Sequence, residues 1–185
     1  IFNRNHIKYW EGSFKHDDDS GLSYVIKDGE QIPVNVFAGV DPATDSDRRG
    51  SDYSVILVIG VDKDNNTYVL DYVHERSLTV LAITGTNKKG IVDYIFDYQN
   101  IFHPTLFCIE DTTMSKPIFQ TLISEMRRRN DFSVKFKDEK PGTRMSKRDR
   151  IQEVLAQRFS IGSMHIKKEH YDLQHEIITF GPRMA

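Results

Sequence analysis

Two apolar stretches of this sequence each end at an acidic residue. Residues 34–40, Val-Asn-Val-Phe-Ala-Gly-Val, lead into Asp41, and residues 106–109, Leu-Phe-Cys-Ile, lead into Glu110. Continuous apolar runs of this length are typical of strands in a parallel sheet that is covered on both faces. Adjacent strands lie about 4.8 Å apart, and open α/β sheets carry their sites at the carboxyl ends of their strands. If these two strands are neighbours, their carboxylates meet at one edge, where a divalent cation would relieve the repulsion between them.

The length of the chain, 185 residues, favours a single domain with its own hydrophobic core. Its single cysteine, Cys108, lies inside a predicted strand, which excludes a disulfide framework and favours a packing role in a reducing compartment. No apolar run is long enough to cross a bilayer, so we expect no membrane contact. Because the chain begins with Ile1 and has no signal-peptide pattern, we expect it to be a fragment of a longer protein.

The spacing of apolar residues predicts an α/β fold in which a mixed sheet is flanked by helices. Residues 1–33 are predicted to be a linker with a small hairpin, and residues 34–185 the folded domain. Three strands separated by short connections predict an antiparallel meander, and alternating helices and strands follow it. The expected strands are 34–41, 53–61, 67–74, 105–110, 132–136 and 164–166, and the expected helices are 91–102, 117–129, 146–159 and 173–180. This is the order of an RNase H-like sheet, in which a right-handed crossover places the fourth strand parallel to the first and beside it.

The acids at these strand ends are the candidate catalytic residues. Asp41 and Glu110 are predicted to bind metal, because carboxylate oxygens are the donors that Mg²⁺ and Mn²⁺ prefer. Two such ions about 3.5 to 4 Å apart can hydrolyse a phosphodiester by activating water and stabilising the leaving oxygen. Asp52, just before the second strand, and Asp111, directly after Glu110, are further candidates for the same metal site.

Positive charge is concentrated in one segment of the chain. The formal net charge is −2, but residues 127–150 contain ten Lys or Arg and four Asp or Glu, a net charge of +6 against −8 for the remainder. Such asymmetry is typical of a polyanion-binding face on an otherwise acidic protein, although a solvated helix end would have the same composition. The residues predicted to contact the phosphates of such a partner are Arg127, Arg128, Arg129, Lys147, Arg148 and Arg150.

Several other kinds of site are excluded by their motifs. No G-x-x-x-x-G-K-[ST] sequence is present, so the chain is not expected to hydrolyse ATP by itself. Residues 62–66, Asp-Lys-Asp-Asn-Asn, begin like a calcium loop but lack its glycine and final glutamate, which favours a hairpin turn. His165, His170 and His175 are spaced by five residues, which does not align them as zinc ligands on a helix, and we expect most of them at the surface.

Three motifs together resemble one family. Residues 37–43, Phe-Ala-Gly-Val-Asp-Pro-Ala, residues 50–54, Gly-Ser-Asp-Tyr-Ser, and residues 109–111, Ile-Glu-Asp, resemble the nuclease half of the terminase large subunit of tailed phages and prophages. The resemblance covers residues 34–182, and residues 146–151 are similar to the basic helix of that family. It implies an RNase H-like endonuclease that uses Mg²⁺ or Mn²⁺, with two ions expected, to cut concatemeric viral DNA during packaging.

The same resemblance implies the partners of the chain. They are double-stranded DNA, the portal, the small terminase subunit, and an N-terminal ATPase domain of the same protein, to which residues 1–33 would be the linker. The implied location is the cytoplasm of a bacterial host, without membrane contact.

One ligand of the family is unassigned in this sequence. The family completes its acidic triad with an aspartate just beyond the final helix, whereas this sequence ends at Ala185. The third ligand is therefore expected beyond Ala185, and Glu169, Asp172 and Glu176, which precede that position, are not assigned to the site. Two other functions stay open: a different DNA enzyme of the same fold, such as a junction resolvase or transposase, and a non-catalytic DNA-binding or docking module.

Overall fold

The structure is a computed structural model that describes residue 2 and residues 4–43, 53–76, 78–140 and 146–180, apart from the side chains of Arg4 and Lys147. The described residues form nine strands and four α-helices after a short 3₁₀ turn at Arg4–His6. In chain order these are β1 (Lys8–Tyr9), β2 (Gly12–Asp17), β3 (Leu22–Lys27), β4 (Glu30–Asp41), β5 (Tyr53–Val61), β6 (Thr67–Arg76), α1 (Ile91–Phe102), β7 (Leu106–Glu110), α2 (Ser115–Arg129), β8 (Phe136–Glu139), α3 (Lys147–Ser160), β9 (Met164–Ile166) and α4 (Tyr171–Thr179). None of these helices is long and apolar enough to cross a membrane.

The nine strands of the described residues belong to one mixed sheet built around the long strand β4. Along one edge β4 pairs antiparallel with β5, which in turn pairs antiparallel with β6. Along its other edge the first half of β4 pairs antiparallel with β3, the second half pairs parallel with β7, and β8 lies parallel beside β7. The outer strands are β2, next to β3, and then β9 and β1 beyond β6. The predicted mixed sheet, with its antiparallel meander and a parallel strand returning beside the first, is confirmed.

Strand β4 is covered by helices on one face only. Buried and less buried residues alternate along it, and the buried set is Val34, Val36, Ala38 and Val40. Phe37 and Gly39 lie on the opposite face and are exposed. The prediction that this run is buried on both faces is therefore wrong. The run has apolar residues on both faces of the strand, but the face that carries Phe37 and Gly39 borders an open cavity.

The helices form two layers, one on each face of the sheet. Helices α1 and α2 pack on the face of the buried β4 residues, where Ile95, Phe96 and Leu122 belong to the main core. Helices α3 and α4 pack on the other face, where Phe159 and Ile177 belong to a second, smaller core with residues of β6 and β9. The second layer leaves the end of β4 and β7 partly open, and this opening positions the site.

Strand β8 begins four residues later than predicted. The predicted segment alternates between apolar and polar residues, but Phe132 is 62% exposed and pairing with β7 begins only at Phe136, opposite Phe107. The Phe136 ring packs against Phe119 of α2 with ring centroids 5.3 Å apart, which fixes the register of the strand. The strand therefore ends at Glu139, level with the end of β7.

Residues before position 34 pack against the rest of the sheet. The Trp10 side chain is 2% exposed, and its Nε1 donates a hydrogen bond of 3.2 Å to the carbonyl of Val69. Strand β1 pairs with β9, and β4 begins at Glu30 and crosses residue 33 without a break. The domain boundary at residue 33 stays a prediction, and residues on both sides of it belong to one sheet.

Two of the three C-terminal histidines are less exposed than predicted. His170 is 6% exposed before α4, His165 is half-buried in β9, and His175 is exposed. Burial lowers the pKa of His165 and of His170. The expectation of surface positions is wrong for His170, because its ring packs edge-on against Tyr72 of β6, 5.1 Å away. Spacing along a helix says nothing about such a contact with a strand.

Candidate active site

Asp41 and Glu110 lie side by side at one end of the sheet. Strands β4 and β7 are parallel and pair up to Val40 and Ile109, so that the next residue of each strand is one of the two acids. Val40 and Ile109 are buried in the core beneath α1 and α2. Because side chains alternate along a strand, Asp41 and Glu110 point to the opposite face. Both acids are half-buried there.

The two acids line a cavity of about 440 Å³ on the face that carries α3 and α4. Strand residues form its floor, and these are Gly39, Val40, Val55, Leu57 and Cys108. Among the described residues, the charged groups that line it are four carboxylates and one guanidinium, from Asp41, Glu110, Glu139, Glu176 and Arg150. Four carboxylates that share a cavity repel one another, so the site favours a bound cation.

Glu139 reaches the cavity from β8. It stands directly opposite Glu110 in the parallel pairing of β7 and β8, which places both side chains on the same face. Its carboxylate also lies 2.9 Å from the Nζ of Lys137, two residues earlier on the same strand. Sequence reasoning missed Glu139 because the predicted strand ended before it. The signal that identified the first two acids, a strand that ends at a carboxylate, applies to this residue as well.

Glu176 reaches the cavity from α4. Its carboxylate lies 3.1 Å from the Nε2 of His74 on β6. His74 stands opposite Val55, and Val55 stands opposite Asp41, so the three side chains lie on one face of the sheet. Glu176 could not be assigned to the site from the sequence, because no local pattern shows which strand end a helix will cover.

Arg150, in the first turns of α3, is the basic residue that lines the cavity in the described part of the chain. Its Nε is buried and has no hydrogen-bond partner among the described residues. Arg150 and Glu110 also line an adjoining cavity of about 360 Å³ together with apolar residues of α3. A guanidinium beside four carboxylates offsets part of their charge, and its unpaired N–H can donate to an anionic ligand.

The two further metal candidates are not placed in the cavity by the structure. Asp111 does not line it, and its Oδ1 accepts a hydrogen bond of 3.2 Å from the hydroxyl of Ser115 at the start of α2. The chain turns into α2 directly after β7, which directs this side chain away from Glu110. Asp52 lies outside the described residues.

The predicted phosphate-binding residues divide between two places. Arg127, Arg128 and Arg129 form the last turn of α2, on the face opposite the cavity. Arg148 and Arg150 belong to α3 on the cavity side, and the side chain of Lys147 lies outside the description. The basic residues of segment 127–150 therefore do not form a single face, because the segment crosses from one helical layer to the other. Their contact with phosphates stays a prediction.

The two basic clusters also differ in their partners. Arg128 and Arg129 both donate hydrogen bonds to the Glu125 carboxylate, and Arg129 lies 4.1 Å above the ring of Phe96. Arg128 and Arg129 are therefore engaged in contacts within the protein at the end of α2. Arg148, in contrast, lies 5.7 Å from the Phe180 ring near the cavity side of the molecule.

The donor set of the cavity suits a hard divalent cation. Asp41, Glu110, Glu139 and Glu176 offer carboxylate oxygens, which are the ligands that Mg²⁺ and Mn²⁺ prefer. Cys108 also lines the cavity, but as a lone thiol on the strand floor it does not make up a set of soft ligands.

Comparison with known proteins identifies the fold. No protein-family model matches this chain, and no curated protein matches its sequence. The nuclease domain of the P22 large terminase is similar in structure, with a TM-score of 0.52 and 9% identity over 95% of this chain and 75% of that one. The Fowlpox virus resolvase, solved with Holliday junction DNA, gives a TM-score of 0.44 and 11% identity over 80% of this chain and 88% of that one. The chain has the RNase H-like fold that the sequence predicted.

Proposed function

We propose that this chain is a metal-dependent nuclease domain that hydrolyses phosphodiester bonds of double-stranded DNA. The observation that carries the proposal is the placement of Asp41 and Glu110 side by side in one cavity at the carboxyl ends of parallel strands. The fold supports it, because open α/β sheets bind their ligands at the carboxyl ends of their strands. A fold alone does not determine a reaction, and here the residues of the cavity indicate the chemistry.

In this proposal the carboxylates hold the metal and Arg150 contacts the substrate. Asp41 and Glu110 bind Mg²⁺ or Mn²⁺, and Glu139 and Glu176 are the further acids able to complete the ligand set. Bound divalent ions would supply an activated water and charge stabilisation at the leaving oxygen. The Arg150 guanidinium donates hydrogen bonds to the scissile phosphate, and in doing so holds that group beside the acids.

The proposal includes the biological role implied by the sequence motifs. A terminase role would make the substrate concatemeric viral DNA, and the partners would be an ATPase domain of the same protein, the portal and the small terminase subunit, in the host cytoplasm. The similarity in fold to the P22 large terminase nuclease domain supports this role. Glu139 and Glu176 are the candidates within this chain for the third metal ligand that the resemblance implies.

A plasmid-nicking assay in Mn²⁺ or Mg²⁺ tests the activity. We expect the wild-type chain to nick supercoiled DNA and the Asp41→Asn and Glu110→Gln variants to lose at least about 100-fold in rate, the scale seen when one charge-stabilising group is removed. Asp111→Asn is the matched control, because this neighbouring acid does not line the cavity and its loss should leave the rate unchanged. Equal nicking by wild type and Asp41→Asn would refute the proposed site.

Further measurements separate the alternatives. Calorimetric titration with Mn²⁺ should give binding that disappears in Asp41→Asn, and binding without nicking on any DNA would indicate a non-catalytic docking module. Faster cleavage of a four-way junction than of a matched linear duplex would indicate a resolvase, and strand transfer would indicate a transposase. A loss of activity in Glu139→Gln or Glu176→Gln would identify the third ligand within this chain.

A further inference from the structure

A second group of potential metal ligands lies at the other end of α1 and β7 from the acidic cavity. His16 on β2, Asp18 in the turn after it, and His103 directly after α1 each bring one ligand atom to within 4.8 Å of the other two. We propose that these three side chains bind a divalent transition-metal ion, and that its preferred occupant is Zn²⁺. The proposal does not depend on the nuclease activity, because none of the three residues lines the acidic cavity.

The two histidines are held in place by neighbouring groups. The Nδ1 of His16 is 2.9 Å from the Ser23 hydroxyl of β3, which leaves its Nε2 facing the Asp18 carboxylate at 3.8 Å. Metal-binding histidines usually have such a hydrogen bond on the ring nitrogen that does not touch the ion, and the bond fixes the orientation of the ring. His103 is the residue that ends α1, in a left-handed conformation with φ of 49°.

Apolar contact brings β2 and the end of α1 together at this point. The rings of Phe14 and Phe102, which precede the two histidines in their segments, pack edge to face with centroids 5.3 Å apart. The rings of His16 and His103 themselves stack, with centroids 3.8 Å apart and an angle of 9° between the planes. The fold thus brings the two imidazoles together before any ion binds, which lowers part of the entropic cost of binding.

The geometry requires a modest adjustment to close on an ion. Zn²⁺ binds imidazole nitrogen and carboxylate oxygen at about 2.0–2.2 Å, which places tetrahedral ligand atoms about 3.4 Å apart. The Asp18 side chain is 90% exposed and is free to rotate inwards. One of the stacked rings must also tilt so that both lone pairs converge, and a water completes the coordination. Two nitrogens and one oxygen form a borderline donor set that selects Zn²⁺ over the hard ions of the acidic cavity.

The consequence of an ion here would be structural. It would tie the ribbon of β2 and β3 to the end of α1, and so couple the first 33 residues to the helical layer. A ligand that binds only the folded state raises the midpoint of thermal unfolding, and the stabilisation grows with the logarithm of the ligand concentration once that concentration exceeds the Kd.

The experiment is a Zn²⁺ titration of the purified chain, with calorimetry and thermal unfolding as the two readouts. We expect one equivalent of Zn²⁺ to bind in an Asp41→Asn background, which weakens the acidic cavity, and to raise the unfolding temperature. His103→Phe keeps the ring stack but removes a ligand, and it should weaken Zn²⁺ binding by about 100-fold or more. Co²⁺ bound in place of Zn²⁺ should show the visible absorption of a tetrahedral ion.

Two further variants distinguish a loss of Zn²⁺ binding from a folding defect. Asp18→Asn changes an exposed turn residue, so it should fold normally and still weaken Zn²⁺ binding. His175→Phe is the matched control, since this exposed histidine on α4 lies outside the cluster and its loss should leave Zn²⁺ binding unchanged. The proposal is overturned if the Asp41→Asn chain does not bind Zn²⁺, or if it binds Zn²⁺ equally well with Asp18 and His103 replaced.

Discussion

Asp41 and Glu110 face the cavity because each directly follows a buried residue in its strand, and successive side chains of a strand point to opposite faces. The buried residues of β4 are even-numbered and those of β7 are odd-numbered, so the acid that follows each run faces away from the core. A slip of one residue in either strand would turn a carboxylate beneath α1 and α2, where an unpaired charge is strongly unfavourable. Asp111, one residue further along the chain than Glu110, stays outside the cavity, and its carboxylate accepts a hydrogen bond from Ser115.

Glu125 is the residue whose titration we expect to be visible in the stability of the fold. Hydrogen bonds from Arg128 and then Arg129 lower the pKa of its carboxyl from 4.5 to about 2. A lowered pKa in the folded state means that the stabilisation is complete above pH 4.5 and is lost as the pH falls from there towards 2. Because the Arg128 side chain is 67% exposed, solvent screening limits the effect to about 1 kcal/mol.

The measurement is the free energy of unfolding in urea at pH 7 and at pH 3 for wild type and Glu125→Gln. We expect the variant to be less stable by about 1 kcal/mol at pH 7 and the difference to shrink at pH 3. Glu153→Gln, at an exposed position of α3, is the matched control. A difference between wild type and Glu125→Gln that is the same at both pH values would show that the residue acts through packing rather than charge.

Helix α3 carries Arg150 into the cavity, so the start of this helix matters for the site. The hydroxyl of Ser146 accepts a hydrogen bond from the backbone N–H of Asp149, and it donates one of 2.7 Å to the Asp149 carboxylate. This reciprocal contact satisfies one of the N–H groups that a helix leaves unpaired at its first turn. It fixes the first turn, from which the Arg150 side chain extends.

We expect Ser146→Ala to reduce the free energy of unfolding by about 1 kcal/mol, the usual cost of removing such a cap. Urea denaturation followed by circular dichroism measures it. Ser124→Ala is the control, because the Ser124 hydroxyl donates only to the carbonyl of Gln120 within α2, and alanine is at least as favourable in a helix interior. Equal losses in the two variants would mean that the Ser146 cap contributes nothing specific to α3.

At the scale of the whole molecule, basic residues close together in sequence lie on opposite layers. Helix α2 runs back from the carboxyl end of β7, so its last turn lies about 20 Å from the start of the helix. Arg127 is therefore remote from the cavity, whereas Arg150 lines it. A phosphate backbone bound at the cavity would contact Arg150 but not Arg127.

DNA affinity measured over a range of salt concentrations tests this division. Each phosphate contact contributes about 0.9 to the slope of log affinity against log salt. We expect Arg150→Gln to reduce the slope by about 0.9 and Arg127→Gln to leave it unchanged. An equal reduction in both variants would mean that DNA contacts both layers, and the placement of the duplex at the cavity would be wrong.

The parts of the fold that follow from local sequence could be predicted. The ends of β4 and β7, the meander and the start of α3 at Ser146 each depend on residues close to one another in the chain. These determine periodicity, turns and caps, which are local properties. The fold class followed because only a few topologies join such elements without crossing.

The remainder depends on contacts between distant segments. Glu139 enters the cavity because Phe136 packs on α2 and shifts the register of β8, and Glu176 enters because α4 docks over β6. The separation of Arg127 from Arg150 depends on which face each helix covers. None of these contacts can be predicted from residues that are neighbours in the sequence. Each of them adds a charged side chain to the site or removes one from it.

The pairing of β1 with β9 has a consequence for how the chain folds during its synthesis. Lys8 is paired with His165, 157 positions away, so this edge of the sheet cannot close until β9 has been synthesised. During synthesis the Trp10 indole stays exposed to water, or bound by a chaperone, until Val69 and the strands around it are in place. Such distant pairing slows folding, and until it is complete the unpaired strand β1 is exposed to premature association with other chains.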